Sequence, residues 1–443
     1  MSNLISLKDF IHRQISGDWG KNLADEIYNH EVYCIRGADI NAVNEGNYND
    51  LPIRYIEAKA KTKFLEEGNI IIEVSGGSPT QSTGRVCYVR GKSINIICSN
   101  FCRAYEIKKE HSPKFFYYLV RNIYNSNIFF NFESKTTGIK NLLIESAFEN
   151  IKVPQIDFND QKSIAKVLSD LDAKIELNNR INRELEAMAK TLYDYWFVQF
   201  DFPDANGRPY KSSGGKMVYN AELKREIPVG WEVKTLLNIA TYTNGLACQN
   251  YRPTDENYLP VIKIREMRDG ITESTEKVKA DIPDKLIVND GDVLFSWSAS
   301  LEVMIWSGGK GGLNQHIFKV TSKKYPRSFY YYQLIWYLQH FKMIAELRKT
   351  TMGHITQDHL KQSRIVIPPI EIVKALDEKL YPIQEKQILL HKQNQQLSEL
   401  RDWLLPMLMN GQVTVRQAHG NAVKEAEESL SMAAEPSVEY KKG

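Results

Sequence analysis

The sequence predicts an α+β chain made in two copies, each a mixed globular domain followed by a long helix. Three observations lead there. Blocks of sequence recur at nearly constant spacing, short β-branched runs alternate with turn residues inside each copy, and each copy ends in a helical stripe of leucines.

The repeat comes first. Phe115-Phe116-Tyr117-Tyr118 is echoed by Phe329-Tyr330-Tyr331-Tyr332 at an offset of 214. Thr136-Thr137 recurs as Thr350-Thr351, and Ile151-Lys152-Val153-Pro154 as Ile365-Val366-Ile367-Pro368, at that same offset. Upstream, Gly68-Asn69-Ile70-Ile71 resembles Gly291-Asp292-Val293-Leu294 at 223, and Ile35-Arg36 resembles Ile264-Arg265 at 229. Surface loops tolerate the insertions that such drift requires. Downstream, Lys174, Asn182, Leu185 and Leu192 match Lys386, Asn394, Leu397 and Leu404 at 212. Each half reads as a β-rich domain, then proline, then a long helix.

The first domain spans residues 1–157 and the second 228–370. Runs such as Asn69-Ile70-Ile71-Ile72-Glu73-Val74 and Asp292-Val293-Leu294-Phe295, bounded by Gly, Asn and Ser, read as strands between turns. The aromatic-rich stretches 113–132 and 326–349 have helical spacing, which makes each domain mixed. Their tyrosines could stack on bases, but at this spacing they read as core. Residues 201–227, with Pro203, Gly207, Pro209, Gly214 and Gly215, read as a linker. Residues 411–443 form a tail that after Gly420 has almost nothing to bury and is expected to be disordered.

The helices occupy residues 158–200 and 371–410. In the first, Ile164, Leu168, Leu171, Ile175, Leu185 and Leu192 fall at alternating spacings of four and three, with Asn178 and Asn182 in the stripe. In the second, Leu376, Leu380, Ile383, Leu390, Leu397, Leu404 and Leu408 follow the same rule, with Gln387 and Asn394 inside it. This is coiled-coil patterning, and a polar residue within such a seam fixes register. An antiparallel pair would place Asn182 and Asn394 symmetrically about the centre. A plain amphipathic pair closing a core is the simpler reading of the same stripes. Pro382 is expected to interrupt the second helix, which would run straight only after it.

Composition bounds the function classes. Hydrophobic residues at 42% and charged residues at 25% suit a folded globular protein. No apolar run reaches the length of a membrane span, and the start carries no signal-peptide pattern. Five cysteines, odd in number and never in a CxxC pair, point to reduced thiols in the cytoplasm and away from a zinc site. A net charge of +3 permits nucleic-acid binding without demanding it. No catalytic or metal-binding residues are assigned. Pro368-Pro369 is preceded by Ile367, where an adenine methyltransferase needs Asn or Asp, and Gly91-Lys92-Ser93 lacks the first glycine of a P-loop because position 86 is Val. Glu57-Ala58-Lys59 with Asp50 upstream faintly resembles a metal-dependent nuclease, the alternative from another class. A coiled-coil scaffold without sequence readout is the third reading.

Several stretches resemble the specificity subunits of Type I restriction–modification enzymes. They are Phe197-Val198-Gln199-Phe200-Asp201-Phe202-Pro203, Tyr210-Lys211-Ser212-Ser213-Gly214-Gly215-Lys216-Met217-Val218 and Glu226-Ile227-Pro228-Val229-Gly230-Trp231-Glu232. Gly312-Leu313-Asn314-Gln315-His316 and Thr350-Thr351-Met352-Gly353-His354-Ile355 belong with them. The resemblance implies two target-recognition domains, each reading half of a bipartite asymmetric target in double-stranded DNA. It implies an antiparallel coiled coil that spaces them and docks two modification (methyltransferase) subunits, with restriction and translocase subunits beyond. S-adenosylmethionine, ATP and Mg²⁺ are then expected on the partners, and no cofactor on this chain. The loop Gly76-Gly77-Ser78-Pro79-Thr80 has no counterpart at 298–304, which implies two different half-sites.

Base reading needs Arg, Lys, Asn or Gln aimed into the major groove, with hydroxyls available for phosphates. The Thr-Thr loops are the first candidates: Lys135, Thr136 and Lys140 in one half, Lys349, Thr350 and His354 in the other. Arg36, Arg85, Lys263, Arg265, Lys310, Gln315 and His316 follow. For each, a solvated surface residue or a structural histidine is the plain alternative.

A helix over 161–197 would span about 55 Å at ~1.5 Å per residue, longer than one DNA turn of about 34 Å. Half-site spacing should therefore follow helix length. Four residues inserted between Ala189 and Lys190 add about 6 Å, and the favoured spacer should grow by one or two base pairs at ~3.4 Å each. Four Gly-Ser residues at Ser213 should leave it unchanged. Methylome sequencing reads both variants, and movement with the Ser213 insertion alone would contradict the expectation.

Overall fold

The computed structural model describes residues 3–76, 81–91, 95–136, 139–298, 300–347, 354–413 and 415, with backbone only at 135, 136, 139 and 347. Gly77-Ser78-Pro79-Thr80, Lys92-Ser93, Thr137, Lys349-Thr350-Thr351-Met352-Gly353 and the tail from 416 lie outside the described residues. The chain divides into two units, residues 1–176 with 396–443 and residues 177–395.

In the first unit, Leu4–Ser6 pairs antiparallel with Lys152–Pro154, so the domain's two ends close on each other. Ser6 and Asp9 then brace the entering turn: the Ser6 N–H and hydroxyl both donate to Asp9 Oδ2 at 2.7 Å. An antiparallel sheet follows in the order Ile11–Ser16, Cys102–Ile107, Ile70–Glu73, Val86–Tyr88. A second sheet joins Ile53–Glu57, Tyr28–Ile35 and Ile96–Cys98, the last pair parallel. Ile70, Ile71 and Ile72 are all buried, as a continuous apolar run in a covered strand requires. The helix Pro113–Asn125 starts with Ser112 Oγ accepting from the Phe115 N–H and proline in its first turn, and it buries Phe115, Phe116, Tyr117 and Tyr118.

The second unit repeats the plan. Glu232–Thr235 pairs with Arg364–Ile367, and the Thr235 N–H and hydroxyl donate to Asn238 Oδ1 at 2.9 Å as Ser6 does to Asp9. Thr241–Asn244, Ile317–Thr321, Val293–Ser296 and Glu302–Ile305 form one antiparallel sheet. Tyr258–Ile262 lies parallel to Gly311–Leu313. The helix Arg327–Leu347 buries Phe329, Tyr330, Tyr331 and Tyr332, which are core as their spacing indicates.

Register corrects one expected correspondence. Ile35 pairs with Cys98, and Ile262 with Leu313, in matching parallel ladders, so Ile35-Arg36 corresponds to Ile262-Lys263 and not to Ile264-Arg265. The flanking glycines agree: a Cβ at Gly17 would strike the Ser99 carbonyl, and one at Gly245 the Asn314 carbonyl, the residues that follow Cys98 and Leu313. Two consecutive isoleucine contexts within one turn of chain are indistinguishable until the ladder is seen.

The first long helix runs Phe158–Tyr193 and ends in a π-helical turn, Asp194–Val198, short of the expected 200. Asp157 Oδ1 accepts from the N–H groups of Asn159 and Asp160 at its start. Beyond it Phe200 adopts φ +67°, a left-handed conformation costly for a phenylalanine, held by Trp231 edge-on and Arg225 over its ring. Residues 201–227 are therefore not a loose linker: Phe202 is buried against Tyr210 and Trp231, and Met217–Asn220 pairs with Arg225–Pro228. The glycine and proline density hid these aromatic anchors. The second long helix is continuous from Ile370 to Met409. Pro382 does not interrupt it; that residue is exposed, and Leu380 and Gln384 on either side are buried, so packing offsets the missing hydrogen bond.

Each unit's core uses both helices. In the first, Ile164, Ala165 and Leu168 pack with Leu404, Leu405, Leu408 and Met409. In the second, Val373, Leu376 and Leu380 pack with Ala189, Tyr193, Trp196 and Phe197. Of the expected seam, Leu168, Asn182, Leu380, Leu390 and Leu404 are buried, and Leu171, Ile175, Leu185, Leu192, Ile383, Asn394 and Leu397 are partly buried. The helices run antiparallel within each unit. Asp172 bonds Arg401 in the first, while in the second Asn178 Nδ2 donates to Asn394 Oδ1 at 2.9 Å, Asn394 Nδ2 to Asn179 Oδ1 at 2.7 Å and Gln387 Nε2 to Glu186 Oε2 at 3.0 Å. The expected symmetry of Asn182 and Asn394 stops at the side chains: Asn394 is bonded, and the Asn182 amide has no hydrogen-bond partner among the described residues.

Asp172 is the polar anchor of the first unit. Its Oδ1 accepts from Arg401 Nη1 at 2.9 Å, and its Oδ2 accepts from the Tyr118 hydroxyl at 2.6 Å and Arg121 Nη1 at 3.4 Å. Three helices meet at one largely buried carboxylate. Arg401→Ala should cost about 1–3 kcal/mol and lower the thermal midpoint of the chain, with Arg401→Lys recovering part of the loss. An unchanged midpoint in Arg401→Ala would show that the ion pair does not hold the helix.

Candidate nucleic-acid interface

Strand ends and turns carry the candidate residues, and the structure sorts them into two groups. The first group is cations bound by carboxylates. Arg85 donates from Nε and Nη2 to both oxygens of Glu73, at 2.9 and 2.7 Å, and both side chains are largely buried. Arg36 grips Asp39 the same way at 2.8 and 2.7 Å. Lys140 donates to the Gln81 carbonyl at 3.2 Å and lies 3.6 Å from Glu133. Lys263 holds Glu276 at 2.5 Å, and Arg265 donates to Glu266 Oε1 at 2.7 Å and to the Ser274 carbonyl at 3.3 Å. The hydrogen bond from Lys263 keeps the Glu276 carboxyl below its ordinary range, and the bonds that Arg36, Arg85 and Arg265 donate to Asp39, Glu73 and Glu266 hold those guanidinium groups above theirs. A buried bidentate pair such as Arg85–Glu73 is costly to break, so Arg85 reads as a strut beneath the surface. Lys263 is partly exposed and its partner Glu276 is exposed, so this cation can exchange a carboxylate for a phosphate at small cost. Arg36 and Arg265, though more exposed than Arg85, hold the largely buried carboxylates of Asp39 and Glu266.

The second group gathers around a residue that the sequence reading passed over, Trp297. Its Nε1 donates to Asn244 Oδ1 at 3.0 Å. The His316 ring lies 5.6 Å from it and the His354 ring 5.5 Å, centre to centre, with Phe318 beneath at 5.8 Å. Gln315 Nε2 sits 3.2 Å from His316 Nε2. His316 is exposed, and the buried Nδ1 of His354 has no partner among the described residues. Two candidates, His316 and His354, thus face one indole, and Gln315 joins them through His316. The signal available in the sequence was a lone tryptophan among small residues, Ser296-Trp297-Ser298-Ala299-Ser300, directly after a buried strand.

Lys310 is exposed at the turn before Gly311 and stands apart from that cluster in the hydrogen-bond and ring contacts. Lys135 and Thr136 lie on the strand Glu133–Thr136, opposite Lys140 and Ile139 in the ladder, and their side chains lie outside the description, as do Lys349 and Thr350 entirely. In the first unit Phe101 and Trp19 are exposed and meet edge-on at 6.5 Å, with the Arg54 guanidinium over the indole at 4.8 Å. Of the nuclease-like triple, Lys59 pairs with Glu57 at 2.6 Å, while Asp50 accepts from Asn47. Among the described residues no group of three or more His, Cys, Asp or Glu is placed to hold a metal ion, and no helix is long and apolar enough to cross a membrane. All five cysteines are free thiols and buried.

The chain is similar to two curated proteins over long stretches. It is 27% identical over 288 residues to the Type I restriction enzyme MjaIX specificity subunit of Methanocaldococcus jannaschii, covering 61% of this chain and 63% of that one, so the match spans a little under two thirds of that relative. It is 23% identical over 452 residues to the Type I restriction enzyme HindI specificity subunit of Haemophilus influenzae, covering 88% of this chain and 93% of that one. Its fold is similar to that of the Type I restriction-modification system S subunit from M. genitalium, with a TM-score of 0.55 at 14% identity over 92% of this chain and 96% of that one. The family model described as "Type I restriction modification DNA specificity domain" matches twice, at residues 21–187 and 228–399. With both halves of the repeat matched, the chain belongs to the Type I restriction modification DNA specificity family.

Proposed function

We propose that this chain is the sequence-specificity subunit of a Type I restriction–modification complex, in which each domain reads one half of a bipartite, asymmetric DNA target. The observation that carries the reading is the duplication: one scaffold is built twice in one chain, and the DNA specificity domain model matches both copies. Different side chains on a shared scaffold support two different half-sites. The chain has no catalytic centre in this reading; adenine methylation and cleavage, with S-adenosylmethionine, ATP and Mg²⁺, belong to two modification subunits and to restriction subunits. The small net charge fits a protein whose grip on phosphate is completed by partners.

Exchanging residues 228–370 for the corresponding domain of another family member should change one half of the methylated sequence and leave the other intact. Methylome sequencing of cells carrying the chimera with its modification and restriction subunits reads this directly. Changes in both halves would show that the domains do not read independently.

A further inference from the structure

The two units share a backbone position at which their side chains part company. In the first, the Val74 N–H donates to the Phe101 carbonyl at 2.8 Å, and the Leu142 N–H donates to the Val74 carbonyl at 2.8 Å. In the second, the Trp297 N–H donates to the His316 carbonyl at 3.3 Å, and the Ile355 N–H donates to the Trp297 carbonyl at 2.9 Å. The strands leading in match too, since Glu73 pairs with Cys102 and Ser296 with Ile317. Positions 74, 101 and 141 thus correspond to 297, 316 and 354. The chemistry on them is unrelated. The first unit offers a buried valine, an exposed phenylalanine ring against Trp19, and an asparagine whose Oδ1 accepts from Ser75 Oγ at 2.6 Å. The second offers an indole and two imidazoles.

A retained backbone with exchanged side chains at the mouth of a sheet is where two copies of one scaffold would acquire different ligands. Val74 belongs to the first unit's core and Trp297 packs against the second's, whereas Phe101 and His316 are exposed. We propose that these three positions determine which bases each domain accepts, and that in the second domain His316 contacts a base edge while Trp297 positions it; this rests on the specificity-subunit reading above. His316 is exposed and its neighbour Gln315 supplies an amide, so together they offer a donor and an acceptor to the major-groove edge of a base pair. The Trp297 indole Nε1–H is already committed to Asn244, which leaves the ring to act through its face. Phe101, with no polar atom, suits apolar contact such as a thymine methyl.

The test uses the full chain in complex with its modification subunits, and duplexes carrying the target identified by methylome sequencing, with each base pair substituted in turn at fixed salt. His316→Ala should reduce discrimination at one or two base pairs of one half-site by about 5- to 150-fold, leaving the other half-site and the thermal midpoint unchanged. Trp297→Ala should relax the same base pairs and Trp297→Phe, which keeps a ring face, should restore much of the discrimination. Phe101→Ala should act on the opposite half-site. Unaltered discrimination in His316→Ala, or equal loss in both half-sites, would overturn the inference while the subunit reading stood. An unaltered complex that discriminated no base pair would overturn that reading and the inference with it.

Discussion

The antiparallel pairing of the two long helices is the interaction on which both units depend, because neither core closes without it. Ile164 and Leu168, which follow the first domain in sequence, meet Leu404, Leu405 and Leu408 from the far end of the chain. Leu376 and Leu380 meet Ala189, Tyr193 and Trp196 in the same way. Each fully buried leucine contributes roughly 1.5–3 kcal/mol, so a handful of them decides whether a domain is stable. A helix that merely trailed its own domain would leave those faces in water.

Polar groups choose among the pairings that leucines alone would allow. Asn394 is bonded on both sides, by Asn178 and Asn179, and a slip of one heptad would break both bonds and bury the amide unpaired. Asp172 does comparable work in the first unit by joining Arg401, Tyr118 and Arg121. At the equivalent place in the second unit the helices present Gln384 and Ala189, both fully buried, and the role passes to Arg327, which donates to Gln384 Oε1 and to Glu385. The helix patterns match between the copies, and the polar devices that lock them do not. With the frame held this way, the strand ends carry different side chains in two otherwise equivalent domains.

Much of this was legible in the sequence because periodicity and repetition survive without coordinates. The two copies, both long helices, the buried tyrosines and the leucine stripes all follow from spacing. Axial stagger does not, which is why Asn182 and Asn394 looked equivalent although, among the described residues, only the Asn394 amide finds side-chain partners. Pairing of charges over long sequence separations is equally invisible: Arg85 looked like a reader until Glu73, twelve residues earlier, enclosed it. Residues 201–227 misled because glycine and proline mark turns as well as linkers, and Phe202, Tyr210 and Trp231 anchor these turns. Trp297 was missed because its partners Asn244, His316 and His354 come from three separate segments that only the sheet brings together.

The register of the helix pair carries the rest, and it can be measured by cross-linking. Cysteines placed at Asn179 and Asn394, both partly exposed and bonded side chain to side chain at 2.7 Å, should be joined within one chain by a short bis-maleimide, visible as altered mobility on a denaturing gel. The five native cysteines are buried and should stay silent while the protein is folded. Efficient linkage of 179 to 394 is expected, and little of 186 to 394, one heptad away. Linkage of 186 and not of 179 would contradict that register.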